Sequence, residues 1–175
     1  MDNMFLTRPD ERYIAEIEAY YREFDGETIH GSSSLHLLRD PLKWIEICRL
    51  YQNRETIPNP EHAESDQYML VRESDGKLCG LINFRHELAG STLPLYGGHI
   101  GYSVRPSERR KGYAKLMLAL TLDKCREYGL DKVLITCNPG NEGSRRTILA
   151  VGGVYESTIH WPEREEDIER YWVIL

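Results

Sequence analysis

Five cations, Arg105, Arg109, Arg110, Lys111 and Lys115, crowd around Gly112 in a chain of formal net charge −6, and an apolar helical pattern starts directly after them. The first turn of a helix leaves backbone N–H groups without partners, and the macrodipole adds partial positive charge there. Such an end binds phosphate. Gly112 lets an anion reach the backbone with no Cβ in the way, Ala114 keeps the next contact small, and the basic side chains add Coulombic attraction. The chemistry indicated is the cradling of a polyphosphate. Neither common nucleotide pattern accompanies it: Gly112 is followed by Tyr113 and Ala114 rather than by Lys and Ser or Thr, and no G-x-G-x-x-G occurs. Other reactive types are dispersed. Cys48, Cys79, Cys125 and Cys137 show no C-x-x-C spacing, and three of them sit in apolar runs, which reads as small buried hydrophobes rather than a metal site or disulfides. His30, His36, His62, His86 and His160 share no ligand-like spacing, so no metal is expected.

These groups need elements to hold them, and the hydrophobic periodicities give the order α-α-β-β-β-α-β-α-β-β. Helical spacing of Tyr13, Ile14, Ile17, Tyr20, Tyr21 and Phe24 predicts a helix over 9–24, closed by Asp25-Gly26. After a serine-rich loop a second helix runs from about Pro41, suited to a first turn, to Gln52. Residues 53–66 are polar, contain Pro58 and Pro60, and read as a surface connection. "YMLVRESDGKLCGLINF" is a hairpin around Asp75-Gly76, where Gly tolerates the positive φ of a tight turn. A loop from Gly90 to Gly98 leads to the strand "HIGYSV". The helix opened by Gly112 ends at Tyr128 with Gly129 just past it. "KVLITC" reads as a short strand buried on both faces. A helix over 142–151 and an antiparallel pair, "VYESTIH" with "RYWVIL", complete the chain.

Arg109-x-x-Gly112-x-Ala114 resembles the Q/R-x-x-G-x-G/A signature of the GNAT superfamily, the acyl-CoA-dependent N-acyltransferases. The context is similar too: a strand before the motif, an amphipathic helix after it, then "KVLITCN" and "NEGSRRTILAVGG", in which Asn141 and Ser144 match an Asn-x-x-Ala/Ser pattern. Gly152-Gly153 stands where the family carries Gly-Phe. The resemblance covers about residues 67–175 and looks closest to bacterial predicted acetyltransferases. It implies an α/β (α+β) fold: one 1–175 domain with a central mixed, mostly antiparallel twisted sheet flanked by helices. Residues 1–66 would be a helical N-terminal part and 67–175 the acyl-CoA-binding core.

The resemblance also implies roles. Tyr102, Ser103 and Val104 would hydrogen-bond the pantetheine arm through their backbone, and an amide among them would polarise the thioester carbonyl. Backbone N–H groups of Arg110, Lys111, Gly112, Tyr113 and Ala114 would hold the pyrophosphate, with Arg109 or Arg110 reaching the 3′-phosphate. Asn138, Asn141 and Ser144 would face the cofactor, Asn141 serving equally as a helix N-cap. The cosubstrate would be acetyl-CoA, with no metal, and an amine would attack its thioester directly. Many family members carry a Tyr four residues after the Ser144 position; Ile148 stands there, which removes the usual acid. A catalytically silent acyl-CoA-binding or regulatory module is the alternative this departure suggests. His99, at the start of the strand before the motif, is the first candidate base, because an imidazole titrates near neutrality. Tyr102, Tyr155 and Glu87 are further candidates, and a plain strand histidine is the other reading of His99.

Composition narrows the remaining classes. With 41% hydrophobic and 29% charged residues the chain is ordinary globular protein, and 28 acidic against 22 basic residues argue against general nucleic-acid binding. No apolar run approaches a membrane span and no signal-peptide core is seen, so a cytoplasmic enzyme, possible as a homodimer, is expected. The acceptor would be a small-molecule or peptide amine. The acidic run "PEREEDIER", with Glu163, Glu165, Glu166, Asp167 and Glu169, either steers a cationic amine or is a solvated loop.

Overall fold

The computed structural model describes residues 2–175, and its centre is the expected hairpin. Strand β2 (Ser65–Arg72) and strand β3 (Leu78–Arg85) meet through Gly76, whose φ of +68° suits the turn, and Asp75 accepts two bonds of 2.9 Å from the Arg72 guanidinium. Alternation along these strands supplies two cores. Met69, Val71, Leu78 and Leu81 turn to one face of the sheet; Tyr68, Leu70, Ile82 and Phe84 turn to the other.

The first face is covered by the N-terminal helices. A short turn, Glu11–Tyr13, is capped by Asp10 and leads into α1 (Ile14–Arg22), which buries Ile17 and Tyr20. A single turn, α2 (Leu35–Leu38), lies in the expected serine-rich loop, and α3 (Pro41–Leu50) starts with Pro41 in its first turn under an Asp40 cap. The N-terminal part is nevertheless not wholly helical, a correction to the expected element order. Strand β1 (Met4–Thr7) lies antiparallel on the outer edge of β2, with Met4 opposite Arg72. Four residues are too few to display a period, so the pairing is a tertiary choice.

The second face carries α4 (Tyr113–Tyr128) and α5 (Glu142–Ala150). Met117, Leu118, Thr121, Leu122 and Cys125 form the buried stripe of α4, and Gly129, at φ +98°, ends it. Gly80 admits the helix closely: a Cβ there would stand 2.6 Å from the Met117 sulfur. All four cysteines are free and buried.

Among the described residues seven strands run in the order β1-β2-β3-β4-β5-β7-β6. Strands β4 (Ile100–Val104), β5 (Lys132–Cys137), β6 (Val154–Trp161) and β7 (Glu166–Ile174) complete the sheet. Among the described residues the pair β4–β5 alone is parallel, and it is joined at a single register position, Ile100 opposite Ile135. Beyond Ile100 the two strands part, leaving Gly101–Val104 without a partner on β5. The gap is the candidate site. No helix among the described residues is long and apolar enough to cross a membrane.

Candidate active site

The divergence of β4 from β5 opens a cleft of about 980 Å³, floored by Gly101, Tyr102, Ser103 and Val104 and closed at one end by the start of α4. There the chain makes two left-handed steps, at Arg110 (φ +64°) and Gly112 (φ +83°), before the helix begins. The amides from Arg110 through Lys115 bond no group among the described residues, the first internal bond being Leu116 N–H to the Gly112 carbonyl at 3.1 Å. A Cβ on Gly112 would meet nothing within 4 Å, so space lies open in front of these donors. Free amides at a helix start facing open space are an arrangement that can cradle an anion.

Fewer cations serve it than the sequence suggests. Arg105 is buried and turned away, paired with Glu16 at 2.8 Å and Glu23 at 2.5 Å. The Lys111 side chain bonds Glu108 at 2.8 Å and does not line the cleft, so its charge is spent there, while the amide expected to hold the pyrophosphate bonds no group among the described residues. Arg109 lies over the Phe24 ring, and Arg109, Arg110 and Lys115 line the cleft. Across from them Tyr102 donates to or accepts from Ser144 Oγ at 2.8 Å, and Asn141 Oδ1 accepts from the Ser144 amide at 3.1 Å.

The model of the acetyltransferase (GNAT) family matches residues 35–152, about two thirds of the sequence and the whole of this cleft's cradle. The chain belongs to that family. Solved structures share its fold at low identity. The ribosomal-protein-S5-alanine acetyltransferase from Vibrio fischeri is 19% identical with a TM-score of 0.73, over 99% of this chain and 94% of that one. The microcin C7 self-immunity acetyltransferase MccE, solved with acetyl-CoA and AMP, is 16% identical with a TM-score of 0.75, over 100% and 94%. RimL, a ribosomal-protein α-N-acetyltransferase solved with coenzyme A, is 15% identical with a TM-score of 0.70, over 98% and 94%. No curated protein matches the chain.

For a GNAT acetyltransferase the candidate base needs correction. His99 is buried outside the cleft, its Nδ1 accepting from the Leu134 amide at 2.9 Å while its own amide donates to the Leu134 carbonyl at 2.8 Å. The ring thus replaces a ladder contact just before the strands part. Burial lowers its pKa to about 4, and the Arg85 charge pushes the same way. Glu87 pairs with Arg54 and the Tyr155 hydroxyl bonds Thr158; neither lines the cleft. Tyr102 is the sequence candidate that does. Burial pushes its phenol up to about 12, so the proton stays on at neutral pH. Ile148, at the position of the usual acid, is fully buried in the core. Asn138 lines the cleft and donates to Glu166 at 3.2 Å.

The acidic run divides among other partners. Glu169 binds Arg145, Asp167 binds His160, and of the five carboxylates Glu166 lines the cleft. Sequence reasoning missed the opposite wall. Phe24, Thr28, His30 and Gly31 reach the cleft because Gly31 packs backbone-on-backbone against Gly101, a Cβ on Gly31 falling 2.1 Å from the Gly101 carbonyl. Tyr96 stacks on Trp161 with ring centres 4.5 Å apart and planes 4° from parallel, and Arg164 covers Trp161 at 4.3 Å. Arg85 completes this end. No local signal marks these residues. Only the glycines, each at an approach that tolerates no side chain, hint at close packing.

Proposed function

We propose that this chain transfers the acetyl group of acetyl-CoA directly to a primary amine, both substrates being bound together in the β4–β5 cleft. The observation that carries the reading is a pair of donor sets on one cleft: the β4 edge that has no partner on β5, and the amides of Arg110–Lys115 left without partners at the start of α4. The cradle suits a pyrophosphate, Arg109, Arg110 and Lys115 suit the remaining phosphate, and the β4 edge suits an extended amide-bearing arm. When bound, acetyl-CoA supplies an activated acyl group. The C–N bond forms as the C–S bond breaks; the amine gives up a proton and the departing thiolate takes one.

Tyr102 fits the acid. Its phenol holds its proton at neutral pH and is aligned by Ser144, so the role of the missing tyrosine passes from α5 to β4 across the same gap. His30 fits the base. Desolvation lowers its pKa and Arg164 and Arg85 add to the effect against Glu166, so its imidazole is neutral when an ammonium arrives. Calorimetry with acetyl-CoA and amine-dependent thiol release, run on the same preparations, test the reading. Gly112→Glu is expected to weaken acetyl-CoA binding on the order of 10² to 10⁴-fold, the loss of two charge-assisted bonds plus repulsion. Tyr102→Phe should lower kcat with the acetyl-CoA dissociation constant nearly unchanged. Unchanged affinity in a folded Gly112→Glu protein removes the cradle from the mechanism, and a wild-type kcat in Tyr102→Phe returns the proton to solvent.

A further inference from the structure

Arg85 ends β3 and reaches over the start of β4. Its Nη1 donates to the carbonyls of Gly97 (3.2 Å) and Gly98 (3.0 Å), and Nη2 lies beside Gly101, 3.3 Å from where a Cβ would stand. Nε and Nη2 have no hydrogen-bond partner among the described residues, and no carboxylate pairs with the guanidinium. The other well-covered arginines differ: Arg72, Arg105, Arg145 and Arg170 each hold a Glu within 3.0 Å. Burial pulls the Arg85 pKa down to about 10, the direction of a cation that lacks a counter-ion. The side chain is half-buried, and its two free nitrogens are not sealed in the core but face the cleft, where a ligand can reach them.

Its surroundings point to the ligand's chemistry. The same end of the cleft is walled by the stacked Tyr96 and Trp161 and carries a second cation, Arg164. The carboxylates lining the whole cleft are Glu27 and Glu166, and Glu166 is engaged by Asn138. An exclusively cationic acceptor would meet like charge here.

We propose that the acceptor is an amine that also carries a carboxylate, and that Arg85 receives this carboxylate. The inference rests on the N-acetyltransferase reading and names the substrate class for it. Arg85 Nη2 lies beside Gly101, and Gly101 is followed directly by Tyr102, the proposed acid, about 3.3 Å further along the strand, so a small acceptor carrying both groups, such as an amino acid, suits the spacing. Arg85 offers Nε and Nη2 side by side, the fork that a carboxylate accepts.

Matched compounds decide it: each of a panel of α-amino acids, its decarboxylated amine and its carboxamide, assayed by thiol release, with acetyl-CoA affinity measured on the same protein. The amino acid is expected to exceed both partners in kcat/KM by about 10- to 100-fold, and Arg85→Gln to erase that preference while acetyl-CoA affinity stays within roughly twofold. Arg85→Lys, which keeps the charge without the fork, should retain part of it. The wild-type comparison stands even where a variant fails to fold. Equal rates within the matched sets, or faster acetylation of a C-terminally amidated peptide, overturn the carboxylate inference and leave the N-acetyltransferase reading intact. Failure to bind acetyl-CoA overturns both.

Discussion

His99 Nδ1 accepts the amide proton of Leu134, so a proton arriving at that nitrogen must displace a buried bond. The folded-state pKa of about 4 lies below the ordinary 6.5, which fixes the sign of the coupling to stability. The neutral ring's contribution is complete above pH 6.5 and is lost as pH falls from there through about 4. A shift of this size corresponds to about 3 kcal/mol. His99→Asn, whose amide oxygen can accept from Leu134 but cannot titrate, should flatten the fall in denaturation midpoint between pH 7 and 4.5. An equal slope in both proteins would show that other groups set it. The contrast with Gly112 explains what could be read at this scale. The cradle's donors are neighbours in sequence, so type and spacing describe them; the partner of His99 is 35 residues away, and burial reverses the meaning of its imidazole. Arg85 is hidden for the same reason, since its significance lies in a partner it does not have.

The start of α4 is held by Glu108 rather than by its arginines. This nearly inaccessible carboxylate accepts from Arg72 at 3.0 Å and lies 2.8 Å from both Lys77 and Lys111, fastening the segment before the helix onto the β2–β3 turn. Burial alone would raise its pKa; bonds from Lys111, Lys77 and Arg72 outweigh it and bring it down to about 2. Its contribution is therefore present above pH 4.5 and lost as pH falls through about 2. Glu108→Gln is expected to cost about 2–4 kcal/mol at pH 7 in denaturant unfolding, with most of the difference from wild type gone near pH 2. A neutral effect at pH 7 would mean that the cations are satisfied by water instead. Elements whose pattern extends over many residues, such as α4 and the hairpin, are legible because their period repeats. Strand β1 and the wide turn Leu93–Gly97 are not, being too short to show one, and the placing of β7 between β5 and β6 is decided by long-range pairing.

At the scale of the molecule the strands fall into two sets, β1 to β4 from the first part of the chain and β5, β7 and β6 from the rest, bridged at Ile100 and Ile135. In their backbone ladders these are two plates riveted at one end, by Ile100–Ile135 and the adjoining His99–Leu134 bonds, while the core beneath α4 and α5 is shared between them. Each plate then has its own opening equilibrium, and the free protein should show two classes of amide exchange, one in β2–β3 and another in β5–β7. A cofactor laid along the seam acts as an adhesive. At a hundredfold excess over its dissociation constant it adds about 2.7 kcal/mol to the bound form. Native-state hydrogen exchange with saturating coenzyme A should bring both plates to one common opening free energy, whereas protection confined to the β4 side would mean that the ligand grips one plate alone. Cofactor occupancy would then set the stiffness of the acceptor end, so an empty protein offers an amine a loose jaw and a loaded one a firm vice, and the order of substrate entry becomes a property of the sheet's missing rungs.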